Sequence, residues 1–132
     1  MSKKKVLLIE DYAPWWGRIE EVLEKHADKF EFIDYDYDGM VESVEQGMDL
    51  INEYRPDVVV LDHSLSGGHA HYNREGSVIA ERIKNRGIEI ISFSSHSKSK
   101  IQSYYPDCVK HFADKDEEAV LDCLLGRCDC LK

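Results

Sequence analysis

Two runs of four apolar residues, each followed by acidic residues, constrain the fold of this chain more than any other feature. Residues 6–9 precede Glu10 and Asp11, and residues 58–61 precede Asp62. A short and fully apolar run is typical of a strand that is buried on both faces, as in a parallel sheet. Because ligands of open α/β sheets bind at the carboxyl ends of strands, we expect these carboxylates to meet at one sheet edge.

Strand-like and helix-like segments alternate along the chain. Apolar stretches that favour strands lie at residues 6–9, 30–33, 58–61, 88–93 and 109–113. Apolar residues at helical spacing follow at residues 14–26, 41–54, 76–84, 101–105 and 117–125, and Gly47 is a candidate break in the second helix. This alternation predicts an α/β fold, a doubly wound five-stranded parallel sheet with helices on both faces. A length of 132 residues fits one domain.

The composition is that of a globular and acidic protein. Hydrophobic residues make up 42% and charged residues 33% of the chain, which argues against disorder. Seventeen basic and 26 acidic side chains give a net charge of −9, which argues against nonspecific binding of nucleic acid. Its apolar runs are shorter than the core of a signal peptide or the roughly 20 residues of a membrane span. We therefore expect a cytoplasmic protein with neither a nucleic-acid nor a membrane partner, and with reduced cysteines.

Polar residues that suit phosphoryl chemistry follow the predicted strands. Asp11 and Asp62 are suitable ligands for Mg²⁺, which takes one or two carboxylates beside water and phosphate oxygens, and Glu10 can hold a coordinated water. A carboxylate can also attack phosphorus and form an aspartyl phosphate. Lys115, after the fifth strand, would offset the added negative charge, and the Ser94 hydroxyl, after the fourth strand, would donate to a phosphoryl oxygen.

With these residues in this order, the chain resembles a response-regulator receiver domain, the family of the bacterial chemotaxis regulator, over essentially all 132 residues. The resemblance implies the flavodoxin-like strand order 2-1-3-4-5. It implies that Asp62 is the phosphoacceptor and that Phe112 is a switch residue beside Ser94 and Lys115. It also implies that Mg²⁺ is bound by Glu10, Asp11, Asp62 and the backbone carbonyl of Ser64.

The same resemblance implies a function in two-component signalling. A histidine kinase or phosphotransfer protein would supply the phosphoryl group, and a downstream protein target would recognise the phosphorylated form. We expect one receiver domain over residues 1–132 without an output domain, present as a monomer or weak homodimer. Its only catalysis would be its own phosphorylation and dephosphorylation.

Several histidines lie close to the expected phosphoryl position in sequence. His63 and His96 would flank the phosphoryl group, and we hypothesise that they tune its hydrolysis. His69 and His71 belong to a long loop, residues 66–73, in which the chain departs from the family's pattern. They are either surface residues or ligands of a transition metal, since imidazole serves in both settings.

Two other functions fit parts of the pattern. The altered loop after Asp62 is consistent with a receiver-like adaptor that acts without phosphorylation. A phosphohydrolase of the haloacid dehalogenase type also uses a strand-end Asp, but that family needs a second Asp two residues later, where Ser64 stands. The receiver function accounts for more of the strand-end residues than either alternative.

Overall fold

Five parallel strands form a single sheet in the part of the chain that the structure, a computed structural model, describes: residues 3–35, 41–65 and 74–127. The strands are β1 (Lys4–Ile9), β2 (Phe30–Phe32), β3 (Val58–Asp62), β4 (Glu89–Phe93) and β5 (His111–Ala113). Their order is β2-β1-β3-β4-β5, and every neighbouring pair is parallel. The predicted α/β fold class and its 2-1-3-4-5 order are confirmed.

Helices cover both faces of this sheet. They are α1 (Ala13–Glu24), α2 (Val44–Tyr54), α3 (Glu75–Ile83), the short α4 (Lys98–Ile101), which continues as a 3₁₀ turn (Gln102–Tyr104), and α5 (Glu117–Leu124). Side chains alternate along a strand, so that Leu7 and Val59 pack towards α2 and α3, whereas Leu8 and Val60 pack towards α1 and α5. None of the helices in the described ranges has the length and apolar character that crossing a membrane would require.

The second helix differs from its prediction at two points. It begins at Val44 rather than at residue 41, because the Ser43 side chain accepts a hydrogen bond from the Gln46 amide at 3.1 Å and caps the first turn. The helix also continues through Gly47, so the predicted break is wrong. A Cβ at this position would lie 2.7 Å from Cδ1 of Ile79, and the glycine therefore permits close packing of α2 against α3.

The segment between the fourth and fifth strands also differs from its prediction. The helix predicted at residues 101–105 begins earlier, at Lys98, and ends as the 3₁₀ turn before Tyr105. Strand β5 begins at His111, because Val109 takes part in a turn in which its amide donates to the Pro106 carbonyl at 3.0 Å. Tyr105 is buried and directly follows the 3₁₀ turn instead of ending a regular helix.

The register of the sheet brings the carboxyl ends of β1, β3, β4 and β5 to one edge. Ile9 pairs with Leu61, and Leu61 pairs in turn with Ser92, which pairs with Phe112. The residues that follow these positions therefore surround one point, where the sequence predicts a site. The histidine-bearing loop at residues 66–73, with His69 and His71, lies outside the described residues.

Candidate functional site

Three carboxylates converge at the carboxyl edge of the sheet. Glu10 and Asp11 follow β1, Asp62 ends β3, and one carboxylate oxygen from each lies within 4.8 Å of the others. Glu10 and Asp62 are buried and Asp11 is half-buried. Oxygen ligands in this arrangement are those that Mg²⁺ and other hard divalent cations prefer, so the residues present fit the predicted metal.

Lys115 provides the positive charge beside these carboxylates. Its ammonium forms an ion pair with the Glu10 carboxylate and lies 3.3 Å from Oδ1 of Asp62. The same ammonium lies 4.4 Å from the centre of the Phe93 ring and 5.7 Å from that of Trp15. The two aromatic faces hold the lysine over the carboxylates through cation–π attraction.

The buried carboxylates carry more negative charge than one lysine offsets. Burial, and after it the charge of Glu10, raise the pKa of Asp62 to about 9 even though the Lys115 ammonium acts in the opposite direction. Burial likewise raises the pKa of Glu10, while Lys115 acts in the opposite direction. A divalent cation among the three groups would favour their charged forms, so the electrostatics of the site favour cation binding.

These groups lie in an open cavity of about 500 Å³. It is lined by Glu10, Asp11, Tyr12, Trp15, Asp62, His63, Ser64, Ser94, Ser95, His96 and Lys115. The structure thus brings together every site residue that the sequence predicts except Phe112. That residue is half-buried on β5 and packs edge-on against the Tyr105 ring, with the ring centres 5.7 Å apart.

Ser94 is buried at the start of the loop after β4. Its amide donates to the Ala113 carbonyl at 3.1 Å, and its Oγ accepts a hydrogen bond from the His96 amide at 3.0 Å. The serine therefore caps the turn, as strand-end serines commonly do. Because a hydroxyl is both a donor and an acceptor, it can still give its proton to a ligand in the cavity.

Gly76 packs directly against the backbone that carries the candidate site. Its amide donates to the His63 carbonyl at 3.1 Å. A Cβ at this position would overlap the backbone oxygen of Asp62 and would lie 3.0 Å from the His63 Cα. The glycine is thus required for the close approach of α3 to the end of β3.

The sequence did not single out two residues that the structure places at or beside this site. Tyr12 lines the cavity and is 60% exposed, and its position directly after Glu10 and Asp11 was an available signal. Tyr105 is buried and its hydroxyl lies 2.9 Å from Nδ1 of His63. These partners are 42 residues apart, and no local spacing predicts the contact. Trp15, in the first turn of α1, lines the cavity and also packs edge-on against Phe93.

Comparison with known proteins supports the fold. No protein-family model and no curated protein sequence matches the chain. Among solved structures, the BeF3-activated N-terminal receiver domain of RstA from Klebsiella pneumoniae superposes with a TM-score of 0.67 at 19% identity, covering 92% of this chain and 95% of that one. The chain has the fold of a response-regulator receiver domain.

Two further receiver structures are similar to the same extent. The signal receiver domain of a LuxO repressor protein from Vibrio parahaemolyticus has a TM-score of 0.67 at 13% identity, with 96% of this chain and 90% of that one covered. A response regulator from Thermotoga maritima has a TM-score of 0.67 at 11% identity, with 96% and 98% covered. The receiver fold is therefore shared along nearly the whole chain, despite low sequence identity.

Proposed function

We propose that this chain is a response-regulator receiver that accepts a phosphoryl group on Asp62. The observation that supports the proposal is the convergence of Glu10, Asp11, Asp62 and Lys115 in one open cavity at the carboxyl edge of a receiver fold. The donor would be a phosphohistidine on a histidine kinase or phosphotransfer protein. The single receiver domain over residues 1–132 that the sequence predicts belongs to this proposal.

In the proposed reaction, a carboxylate oxygen of Asp62 attacks the phosphorus of the donor. An oxygen–phosphorus bond forms, and the phosphorus–nitrogen bond of the phosphohistidine breaks, releasing the imidazole. Glu10, Asp11, Asp62 and the Ser64 carbonyl would hold Mg²⁺. Bound there, the ion supplies positive charge against the charge of the phosphoryl oxygens.

Lys115 and Ser94 would bind the transferred group. The Lys115 ammonium is already 3.3 Å from Oδ1 of Asp62, so it can contact a phosphoryl oxygen there with little movement. Ser94 lines the same cavity and would donate its hydroxyl proton to another phosphoryl oxygen. Return to the starting state would follow when water attacks the phosphorus and the bond to Asp62 breaks.

The output of the proposed receiver is contact with a downstream protein target. Ser94 and Phe112 would change position when the phosphoryl group is present, which would shift the population of two conformations of the surface around α4 and β5. The proposal includes a cytoplasmic location and a monomer or weak homodimer, both of which the sequence predicts. His63 and His96 line the cavity and would influence how fast water reaches the phosphoryl group.

Transfer of radiolabel from acetyl phosphate tests this function. We expect Mg²⁺-dependent incorporation into the unmodified chain, loss of incorporation in Asp62→Asn, and normal incorporation in Asp114→Asn. Asp114 is an exposed residue near the same sheet edge but does not line the cavity, which makes it a matched control. Retention of the label in Asp62→Asn would refute the assignment. Steady turnover of a simple phosphate ester would instead favour the phosphohydrolase alternative.

A further inference from the structure

A buried hydrogen bond connects the neighbour of Asp62 to the segment that follows α4. His63 lines the cavity and is 6% exposed, and its Nδ1 lies 2.9 Å from the Tyr105 hydroxyl. Tyr105 is 7% exposed and comes directly after the 3₁₀ turn at Gln102–Tyr104. A single hydroxyl therefore joins the end of β3 to the end of the α4 segment, which comprises α4, the 3₁₀ turn and Tyr105 (residues 98–105).

Aromatic and cationic neighbours hold the His63 ring in place. The Tyr104 ring stacks against it with centres 6.1 Å apart, and the Arg74 guanidinium lies 3.9 Å from the centre of the Tyr104 ring. The His96 ring, which also lines the cavity, meets His63 edge-on at 5.9 Å. Residues just before α4 and in the 3₁₀ turn thus surround one imidazole in the cavity wall, and the N-cap residue of α3 packs against the Tyr104 ring.

Tyr105 also reaches the residue that the sequence predicts as the switch. Its ring packs edge-on against the Phe112 ring, with the ring centres 5.7 Å apart. Phe112 itself does not line the cavity, and its side chain has no atom that could form a hydrogen bond there. A rearrangement that starts at the end of β3 can therefore reach Phe112 by two successive contacts, from His63 to Tyr105 and from Tyr105 to Phe112.

We propose that Tyr105 is a positioning residue that makes the placement of the α4 segment depend on what occupies the cavity, an inference that rests on the proposed receiver function. A group bound to Asp62 contacts the wall that His63 forms. A hydrogen bond is short and directional, so a small displacement of the imidazole breaks it or moves Tyr105 with it. Closely packed elements then respond by changing between discrete arrangements rather than by bending gradually.

Hydrogen exchange with and without beryllofluoride and Mg²⁺ tests this coupling. In the unmodified chain, we expect these additives to slow exchange at residues 10–11 and 61–64 and to change it at residues 98–105. Tyr105→Phe removes only the hydroxyl and should retain the response at the site while losing the response at residues 98–105. Tyr104→Phe is the matched control, because it removes a hydroxyl from the adjacent, 43% exposed ring, and both responses should persist.

The other outcomes distinguish a failure of this inference from a failure of the proposed function. If the unmodified chain shows no response at residues 10–11 and 61–64, the proposed function itself fails. If it responds there but Tyr105→Phe keeps its response at residues 98–105, the coupling through Tyr105 is refuted. A uniform acceleration of exchange in Tyr105→Phe, with the additive-dependent difference intact, would mean a purely structural role. His63→Phe removes the other partner of the bond and should reproduce the loss at residues 98–105.

Discussion

The ammonium of Lys115 lies 3.3 Å from Oδ1 of Asp62 and at the same time pairs with the buried carboxylate of Glu10. One cation therefore contacts two acidic groups, and the pKa values of both groups are raised, mainly by burial. A phosphoryl group on Asp62 would add negative charge at the point where this imbalance is greatest. The proposed function depends on how far Lys115 and a divalent cation together offset that charge.

Removal of the Lys115 charge should destabilise the chain. In Lys115→Ala, the carboxylates of Glu10 and Asp62 lose their cation, and the loss of one partner from a largely buried pair costs about 3 kcal/mol. Urea denaturation should therefore show a lower midpoint with an unchanged slope, and Mg²⁺ should restore part of the loss. Lys110→Ala, which changes an exposed lysine just before β5, is expected to leave the midpoint within error. Equal midpoints for the two variants would contradict the assigned ion pairs.

Replacement of Asp62 by a neutral residue should stabilise the chain in the absence of Mg²⁺. Because the pKa of Asp62 is raised from 3.8 to about 9 in the folded chain, its stability contribution is fully present below pH 4 and is lost as the pH rises towards 9. Asp62→Asn should therefore melt at a higher temperature than the unmodified chain at pH 8, with a difference that narrows towards pH 4. A gain of about 1 kcal/mol corresponds to roughly 3–6 °C in a domain of this size.

Melting curves at several pH values, with and without Mg²⁺, measure this effect. Mg²⁺ should raise the melting temperature of the unmodified chain and should have a smaller effect on Asp62→Asn, which has lost one ligand. The control is Asp114→Asn, where the carboxylate is exposed and no gain is expected. A pH-independent difference between Asp62→Asn and the unmodified chain would argue against the raised pKa.

The sheet and most of the candidate site could be predicted because both depend on local sequence patterns. Buried parallel strands appear as continuous apolar runs, and the residue after each run is placed at the carboxyl edge by topology alone. Asp62, Glu10 and Lys115 were therefore identifiable although they lie far apart in the chain. Packing between helices has no comparable signal, so the sequence did not show that Gly47 lies inside a continuous helix that packs closely against Ile79.

The hydrogen bond between His63 and Tyr105 is a second feature that the sequence could not predict. A tyrosine near the end of a short helix gives no indication of a partner 42 residues earlier, and the sequence did not predict the 3₁₀ turn that precedes Tyr105. Phe112 shows the reverse case, since its predicted role came from resemblance and the structure places it outside the cavity lining. Its switching role stays a prediction.

Fluorescence of Trp15 should report Mg²⁺ binding. The indole lines the cavity and lies 5.7 Å from the Lys115 ammonium, so a cation that repositions this ammonium changes its surroundings. Trp15→Phe should abolish the response to an Mg²⁺ titration. Trp16→Phe is the matched control and should keep it, because Trp16 instead packs against Phe32 and Tyr35. A response that persists in Trp15→Phe would contradict the placement of the indole.

The same titration measures the contribution of Asp11. Asp11→Asn should raise the dissociation constant for Mg²⁺ about tenfold, equivalent to roughly 1.4 kcal/mol.

A methyl group at Gly76 should disturb the end of β3. Because a Cβ there would overlap the backbone oxygen of Asp62, Gly76→Ala must displace either α3 or the strand end, at a cost of about 1–3 kcal/mol. Gly17→Ala is the matched control, since Gly17 lies within α1 with nothing near its Cβ position, and alanine should stabilise the helix by about 1 kcal/mol. Chemical denaturation should thus shift in opposite directions for the two variants. Because the displaced backbone carries Asp62, phosphorylation by acetyl phosphate should also fall in Gly76→Ala but not in Gly17→Ala. Full phosphorylation of Gly76→Ala would show that α3 moves and that the end of β3 keeps its position.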